Sequence, residues 1–386
     1  MVASVLSLRG VAGDDVGTQA DRVLTDRVLA ALTGVGLVAG VARAERFEGT
    51  RRDLETRKAA GLHGGMAFTY RNPARSTDPG RALDGAQSLV VGALGYLRDR
   101  PASPAAVAPG RVARYAWSDA YAELTDRLGA GAAVLRAGGF RTVVLADQNA
   151  LVDREAARRA GLGWYGRNAN LLLPGRGSWY VLGTIVTDAP LLASSPSGGG
   201  CGSCTRCVPA CPTGAIVASG VVDARRCLAW LLQATGVFPV AFREALGDRI
   251  YGCDDCQEAC PPNRAASTGP AAEGDRATVD VIDLLDDDDR CVLERAGRWY
   301  VAQRNARFLR RNALVVLGNT ADPRDERAVA AVSQALRHAD PLVRAHAVWA
   351  AARLGRPDLA DRLDATEADP MVRRELLHRH EVASRR

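Results

Sequence analysis

Eight cysteines between positions 201 and 260 are the residues best placed to do chemistry. The first four spell Cys201-Gly-Ser-Cys204-Thr-Arg-Cys207-Val-Pro-Ala-Cys211-Pro212, a C-x2-C-x2-C-x3-C-P run. Bacterial ferredoxins hold [4Fe–4S] cubanes with such a run. The last three, in Cys253-Asp-Asp-Cys256-Gln-Glu-Ala-Cys260-Pro261, repeat it without its first cysteine, and Cys227 stands between the two runs. Eight thiolates suffice for two cubanes. In two-cluster ferredoxins the fourth cysteine of each run crosses to the other cluster. That rule gives cluster one Cys201, Cys204, Cys207 and Cys260. It gives cluster two Cys211, Cys253 and Cys256, with Cys227 replacing the missing ligand. The crossing forces the cubanes close together, as electron relay requires. Zinc gives no reason for the C-x3-C-P ending. Disulfides fit poorly, because residues 1–16 have no long apolar core and do not read as a secretory signal. A cytoplasmic protein is the expectation. Cys291 stands alone before a basic segment and reads as a packed small side chain.

A relay needs a terminus, and 386 residues leave room for two or three domains. Apolar residues at helical spacing predict a helix over residues 21–32, and a polar helix is expected over 51–61. Strands are expected over 35–41, 88–94, 141–146, 170–173 and 178–187, with helices over 118–137 and 154–160. This alternation predicts an α/β (α+β) domain over residues 1–193. A Ser/Gly-rich linker at 194–200 opens a two-cluster ferredoxin-like domain over 194–270. Residues 101–110 read as a loop, and 265–275 as a second flexible break. The remainder, 271–386, is helical. Asp340-Pro-Leu-Val-Arg344 and Asp369-Pro-Met-Val-Arg373 restart one pattern 29 residues apart. Arg310-Arg-Asn-Ala-Leu-Val-Val-Leu-Gly318 is an earlier partial copy, so a HEAT-like module is expected.

Net charge is +6, and the excess is C-terminal: residues 290–311 hold seven Arg against one Glu. That is the footprint of a polyanion-binding segment. Lys58 is the single lysine, so arginine supplies the basic charge everywhere and weakens that inference. The acidic run 286–289 reads as a solvated cap. No apolar run is long enough to span a membrane, and no association stripe argues against a monomer.

In the first domain, Asp147 follows a strand, where open α/β sheets place their ligands. Capping of the next helix is an equal alternative. Gly161-Leu-Gly163-Trp-Tyr-Gly166 spells a dinucleotide fingerprint, but a helix precedes it and a strand follows, so it reads as a loop. No radical-SAM C-x3-C-x2-C run is present, and no D-x-H-x-x-G run that would hold cobalamin through histidine. His63, in a glycine-rich loop, is the one histidine that could lie near a site, and a surface role fits it better.

With these pieces in place, the chain resembles the epoxyqueuosine reductase family over nearly its full length. The matching residues are Arg75…Pro79, Ala113-Arg-Tyr115, Asp147 with Asp153-Arg154, Ala160-Gly-Leu-Gly-Trp, Gly177-Ser-Trp, both cysteine runs with Cys227, Arg249-Ile-Tyr-Gly-Cys253, Gln303-Arg-Asn and the HEAT-like tail. The resemblance implies reduction of epoxyqueuosine to queuosine in the tRNA anticodon loop. It implies base-off cobalamin fed by two [4Fe–4S] clusters and an external low-potential electron donor. By position, Asp147 falls on the family's proton donor. Arg75, Ala113, Tyr115, Leu171, Pro174, Leu182 and Ile185 fall on its cobalamin lining, as does the Cys253-Asp254-Asp255-Cys256 turn. Arg154, Thr235 and the segment 297–311, with Arg304, Arg307, Arg310 and Arg311, fall where the family meets tRNA. The chain departs from the family at Asp119-Ala-Tyr121, Gln148-Asn149 and Arg167. A cobalamin-dependent, dehalogenase-like reductase of another substrate is the nearest alternative. A non-catalytic ferredoxin-type carrier and an RNA-binding protein with structural clusters are the others.

Overall fold

A computed structural model describes residues 12–102, 106–364 and 367–384. Of the 1–16 stretch read for a secretory signal, residues 1–11 lie outside the described residues. The first part runs α1 (Ala12–Gly34), β1 (Val38–Arg43), α2 (Glu48–Ala59), α3 (Pro73–Ser76), β2 (Ser88–Gly95) and β3 (Pro109–Val112). It continues with α4 (Ala120–Ala137), β4 (Thr142–Ala146), α5 (Asp153–Arg159), β5 (Trp164–Tyr165), β6 (Leu171–Leu172) and β7 (Tyr180–Thr187).

Four of these strands form one sheet in the order β1-β2-β7-β4, every pair antiparallel. Alternating helices and strands do not fix strand direction, and the arrangement is α+β rather than α/β. Side chains alternate across the sheet. Val41, Val90, Val181 and Ile185 meet Val28 and Leu32 of α1 and Leu124, Leu128 and Leu135 of α4. Leu89, Val91, Leu182 and Val186 take the other face, against Ala156 and Ala157 of α5. Gly183 lets α4 sit down on β7, because a Cβ there would stand 2.7 Å from Leu128 Cδ1. The α4 N-terminus is set by Asp119, whose side chain accepts from the Ala122 N–H at 3.0 Å.

The iron–sulfur segment carries α6 (Cys207–Ala210), β8 (Ile216–Ala218), β9 (Val221–Val222), α7 (Leu228–Leu231), α8 (Val240–Leu246), β10 (Arg249–Tyr251), α9 (Asp255–Glu258) and α10 (Pro261–Arg264). After it come β11 (Thr278–Asp280), α11 (Asp283–Asp286), α12 (Asp289–Ala296), α13 (Arg307–Thr320), α14 (Glu326–Ala335), α15 (Pro341–Arg353), α16 (Asp361–Asp364) and α17 (Pro370–Ser384). Helices α13, α15 and α17 pack successively.

A second sheet, ordered β10-β3-β11, takes one strand from each third of the chain. The loop expected over 101–110 therefore ends in a strand. Pro-Gly-Arg-Val has no local strand pattern, and its order comes from partners far along the chain. The break expected over 265–275 is also pinned. Gly269 bridges to Arg98, and the buried Asp275 carboxylate receives Arg98 at 2.9 Å. The acidic run is more than a solvated cap: Asp288 caps α12, Asp287 pairs with Arg295, and Asp289 with Arg310.

One apolar core joins α7, α8 and β10 to α13–α15. Across it, Arg243 is fully buried and reaches Glu375 on α17 with two bonds of 2.7 and 2.9 Å. Glu375→Ala is expected to lower stability by about 3–5 kcal/mol, because it strands a buried guanidinium. The urea midpoint would report this, and an unchanged midpoint would show that the pair does not tie α17 down. Among the described residues, no helix is long and apolar enough to cross a membrane.

Candidate functional site

The eight cysteines of the two runs and Cys227 are all free of disulfides. They gather as two groups. Cys260 lies within electrostatic reach of Cys201, Cys207 and Cys204. Cys256 lies within reach of Cys253, Cys227 and Cys211, and also of Cys207 across the gap. Helices α6 and α9, one from each run, pack together and bring the groups side by side. A backbone N–H aims at one of the sulfurs: Ala215 N–H donates to Cys211 Sγ at 3.2 Å. Such bonds are what cluster sulfurs take.

Among the described residues, no three His, Cys, Asp or Glu side chains converge as the ligands of one metal ion do. Burial pushes the Cys253 thiol up to about 12, and it raises Cys256 as well. Only the thiolate ligates, so loading this group must release protons. Cys291 belongs to neither group; it lies on α12, partly exposed.

Asp147 follows β4, an edge strand of an antiparallel sheet, and not the crevice of a parallel one. Nor does it cap α5, whose N-cap is Val152. Its backbone is left-handed, at φ 54°, a conformation Asp tolerates better than most residues. Its carboxylate is 44% exposed and receives Arg298 Nη2 at 2.9 Å. Arg298 Nε also reaches Asp119 at 2.8 Å, and the guanidinium lies over the Tyr121 ring at 4.6 Å. Desolvation raises the Asp147 pKa, Arg298 opposes it, Asp119 adds to it, and the net direction is up. Burial, then the charge of Asp147, holds Asp153 well above the usual carboxylate range.

A continuous set of contacts links Asp147 to the second cysteine group. Next to Arg298, Trp299 stacks on Tyr251 at 4.6 Å, and Tyr300 N–H donates to the Tyr251 hydroxyl at 2.7 Å. Tyr115 lies beside Tyr251, with ring centroids 6.2 Å apart. Ala113 N–H donates to Tyr251 O at 2.9 Å, and Arg114 N–H to Asp254 Oδ2 at 2.8 Å. Burial pushes Asp254 up to about 6. Asn168 Nδ2 holds the Cys256 carbonyl at 3.2 Å.

Of the residues expected along a corrin, Ala113, Tyr115 and Cys253–Cys256 thus come together. A Cβ on Gly252 would stand 2.5 Å from that of Ala113. The cysteine turn therefore lies flush with the Ala113–Tyr115 surface. Four of the five histidines lie in the helical C-terminal part, and His63 packs near Tyr70. Leu171 and Leu182 share the α5 face of the main sheet. Ile185 needs correcting: its side chain is fully buried on the opposite face, beside Leu32 and Gly131, and cannot line the same group. Arg75 and Pro174 are exposed at the periphery.

The residues expected to meet RNA divide. Arg154 and Thr235 are exposed, and Arg154 Nη1 donates to Ala169 O at 2.7 Å. Arg304 is exposed and braces the Gly297 and Trp299 carbonyls. Arg307 is half-buried, 3.5 Å from Asp340. Arg310 and Arg311 are corrected. Arg310 is 6% exposed and holds Asp289 and the Asp287 carbonyl. Arg311 is 1% exposed, with its donors on the Leu231, Leu232, Ala234 and Gly236 carbonyls. Neither can reach a phosphate. Sequence reasoning has Asp119 as a departure from the family, Tyr251 within a matching run, and Arg298 and Trp299 within the segment expected to meet tRNA, but it does not join them to Asp147. Nothing local in the sequence pairs Arg298 with Asp147.

Comparison with known proteins agrees with this architecture. Residues 200–263 match the 4Fe-4S double cluster binding domain family, and residues 302–378 match HEAT repeats. The chain is 31% identical to epoxyqueuosine reductase of Bacillus anthracis over 336 residues, which is 84% of this chain and 87% of that one. It is 35% identical to the Xanthomonas campestris pv. campestris enzyme over 310 residues, 77% of this chain and 86% of that one. A crystal structure of epoxyqueuosine reductase with a tRNA-Tyr epoxyqueuosine-modified stem loop superposes with a TM-score of 0.85 at 28% identity. It covers 94% of this chain and 99% of its own. The Bacillus subtilis enzyme, with its catalytic Asp loop swung out of the active site, gives 0.84 at 28%, covering 93% and 98%. Fold and site together define an iron–sulfur oxidoreductase with a double-cluster domain and HEAT repeats. Within that class, the chain belongs to the epoxyqueuosine reductase family.

Proposed function

We propose that this chain reduces epoxyqueuosine to queuosine in the anticodon loop of tRNA. The net change is two electrons and two protons in, one water out, as the epoxide becomes an alkene. Cys201, Cys204, Cys207 and Cys260 hold cluster one; Cys211, Cys227, Cys253 and Cys256 hold cluster two. The second group lies beside the Ala113–Tyr115 surface, so an external low-potential donor feeds the first. Ala113, Tyr115, Leu171, Leu182 and residues 252–256 hold cobalamin, with Arg75 and Pro174 at its rim. Bound there, cobalamin would supply a strongly reduced cobalt as nucleophile toward the carbon framework that bears the epoxide. Asp254 orients the turn through its bond to the Arg114 N–H. Asp147 protonates the departing oxygen, a role its raised pKa suits. Arg154, Thr235, Arg304 and Arg307 supply RNA contacts that position the loop. Cytoplasmic location and a monomeric state accompany this reading.

The run Asp147–Arg298–Trp299–Tyr251, with Cys253 two residues beyond, supports the reading most, because it links a carboxyl to the second cysteine group. The test is anaerobic turnover of reconstituted protein with cobalamin, a strong one-electron reductant and a tRNA stem loop carrying epoxyqueuosine. Nucleoside mass spectrometry should show loss of one oxygen, dependent on cobalamin. No loss from protein with both clusters and cobalamin bound would assign the reductase another substrate.

A further inference from the structure

Asp147 is asked to give up a proton, yet it sits in an ion pair with a permanently charged guanidinium. That pair opposes protonation, so something must part the two before the acid can work. The place of Arg298 shows what. It follows Gly297, whose φ of 54° ends α12, and it precedes Trp299, fixed by stacking on Tyr251. Its backbone is anchored while its side chain is 28% exposed. Both partners, Asp119 and Asp147, are also nearly half exposed. Exposed ion pairs hold weakly, whereas an RNA phosphate offers a guanidinium a bidentate, charge-assisted alternative. Exposed Arg304 and Tyr300, 56% exposed, flank the same loop.

We propose that Arg298 is a latch on the acid: it keeps Asp147 ionised in the free enzyme and releases it when an RNA phosphate becomes the guanidinium's partner. Asp147 then takes a proton from solvent before the base closes over it. The acid is thus armed only on a bound substrate. Arg298 is a positioning residue, since it acts through Asp147. The other groups that face Asp147 or share its field are Asp119, Asp153, Tyr121, Tyr251 and Arg154. Asp119 is the counterweight: it shares Arg298 and itself favours the protonated form of Asp147. This inference rests on Asp147 being the proton donor.

The test compares pH–rate profiles of the holoenzyme, because kcat/KM reports the free enzyme and kcat the substrate complex. Arg298→Ala should move the basic limb of kcat/KM to higher pH and leave that of kcat in place. Asp119→Asn keeps the α4 cap and should move the kcat/KM limb the other way. Binding of an unmodified stem loop by Arg298→Ala should lose about 0.7–0.9 from its salt slope, one phosphate contact. Arg298→Gln, which removes the charge but keeps a polar side chain of similar reach, carries the same tests if the alanine variant loses iron or folds poorly. An unmoved kcat/KM limb overturns the latch. Limbs of kcat and kcat/KM moving together mean that the pair persists in the complex, which also overturns it. An unchanged salt slope removes the phosphate from the release step. Full turnover by Asp147→Asn would instead end the reading of Asp147 as the acid, a separate outcome.

Discussion

Asp147→Asn is expected to slow reduction of epoxyqueuosine in a tRNA stem loop by about 10²–10⁴-fold, the usual worth of a positioned general acid. Cluster content, cobalamin loading and RNA affinity should be retained. The amide keeps the shape of the carboxyl and can still accept from Arg298, but it has no acidic proton to give. Wild-type activity should fall as pH rises through the Asp147 pKa, which desolvation holds above its ordinary value. That basic limb should vanish in the variant's residual activity. The stability sign is opposite to that of most buried-carboxylate losses. A carboxyl whose folded pKa is raised binds its proton more tightly folded than unfolded. Its contribution is therefore present at low pH and lost as pH rises through the folded pKa. Above that pH the charged group costs stability, so the neutral variant should melt no lower than the wild type. A melting point well below wild type would mean inactivation by unfolding. Full turnover at every pH would remove Asp147 from the proton path.

The cysteine arithmetic was legible because cluster ligands are read by spacing, and spacing is local. Helical and strand periods were legible for the same reason: α4 and β7 begin and end within two residues of expectation. What the sequence hid is long-range. Strand direction in the main sheet depends on how connections cross, which alternation does not record. β3 has four residues, including Pro and Gly, and is ordered only by β10 and β11, far along the chain. The basic run 290–311 misled in a physical way. Charge counts treat every arginine as free, whereas Arg310 and Arg311 use their donors on a carboxylate and on carbonyls inside the fold. Arg298, in the same run, reaches the site only because the α12 end brings it to Asp119 and Asp147. No pattern in one stretch of sequence announces a partner 151 residues away.

Cys227→Ser is expected to abolish turnover and to cut iron from about eight to about four per chain, two cubanes reduced to one. Cys227 lies in neither run, so the wiring stands or falls on it. It is the N-cap residue of α7, and its neighbour in charge is Cys211. Cys211→Ser should therefore give the same phenotype as Cys227→Ser, although Cys211 belongs to the first run. Cys260→Ser should instead strip the group of Cys201, Cys204 and Cys207, although Cys260 belongs to the second run. The pairs separate by function as well as by iron count. Losing the inner cluster removes the step next to cobalamin, so no chemical reductant should restore full rate through the protein. Losing the outer cluster removes the entry for a protein donor, and a small reductant able to reach the inner cluster should restore part of the rate. Cys291→Ser serves as the control and should change nothing. If Cys227→Ser keeps about eight irons and full activity, the eighth ligand lies elsewhere. If Cys260→Ser matches Cys227→Ser and Cys211→Ser does not, the two runs do not cross.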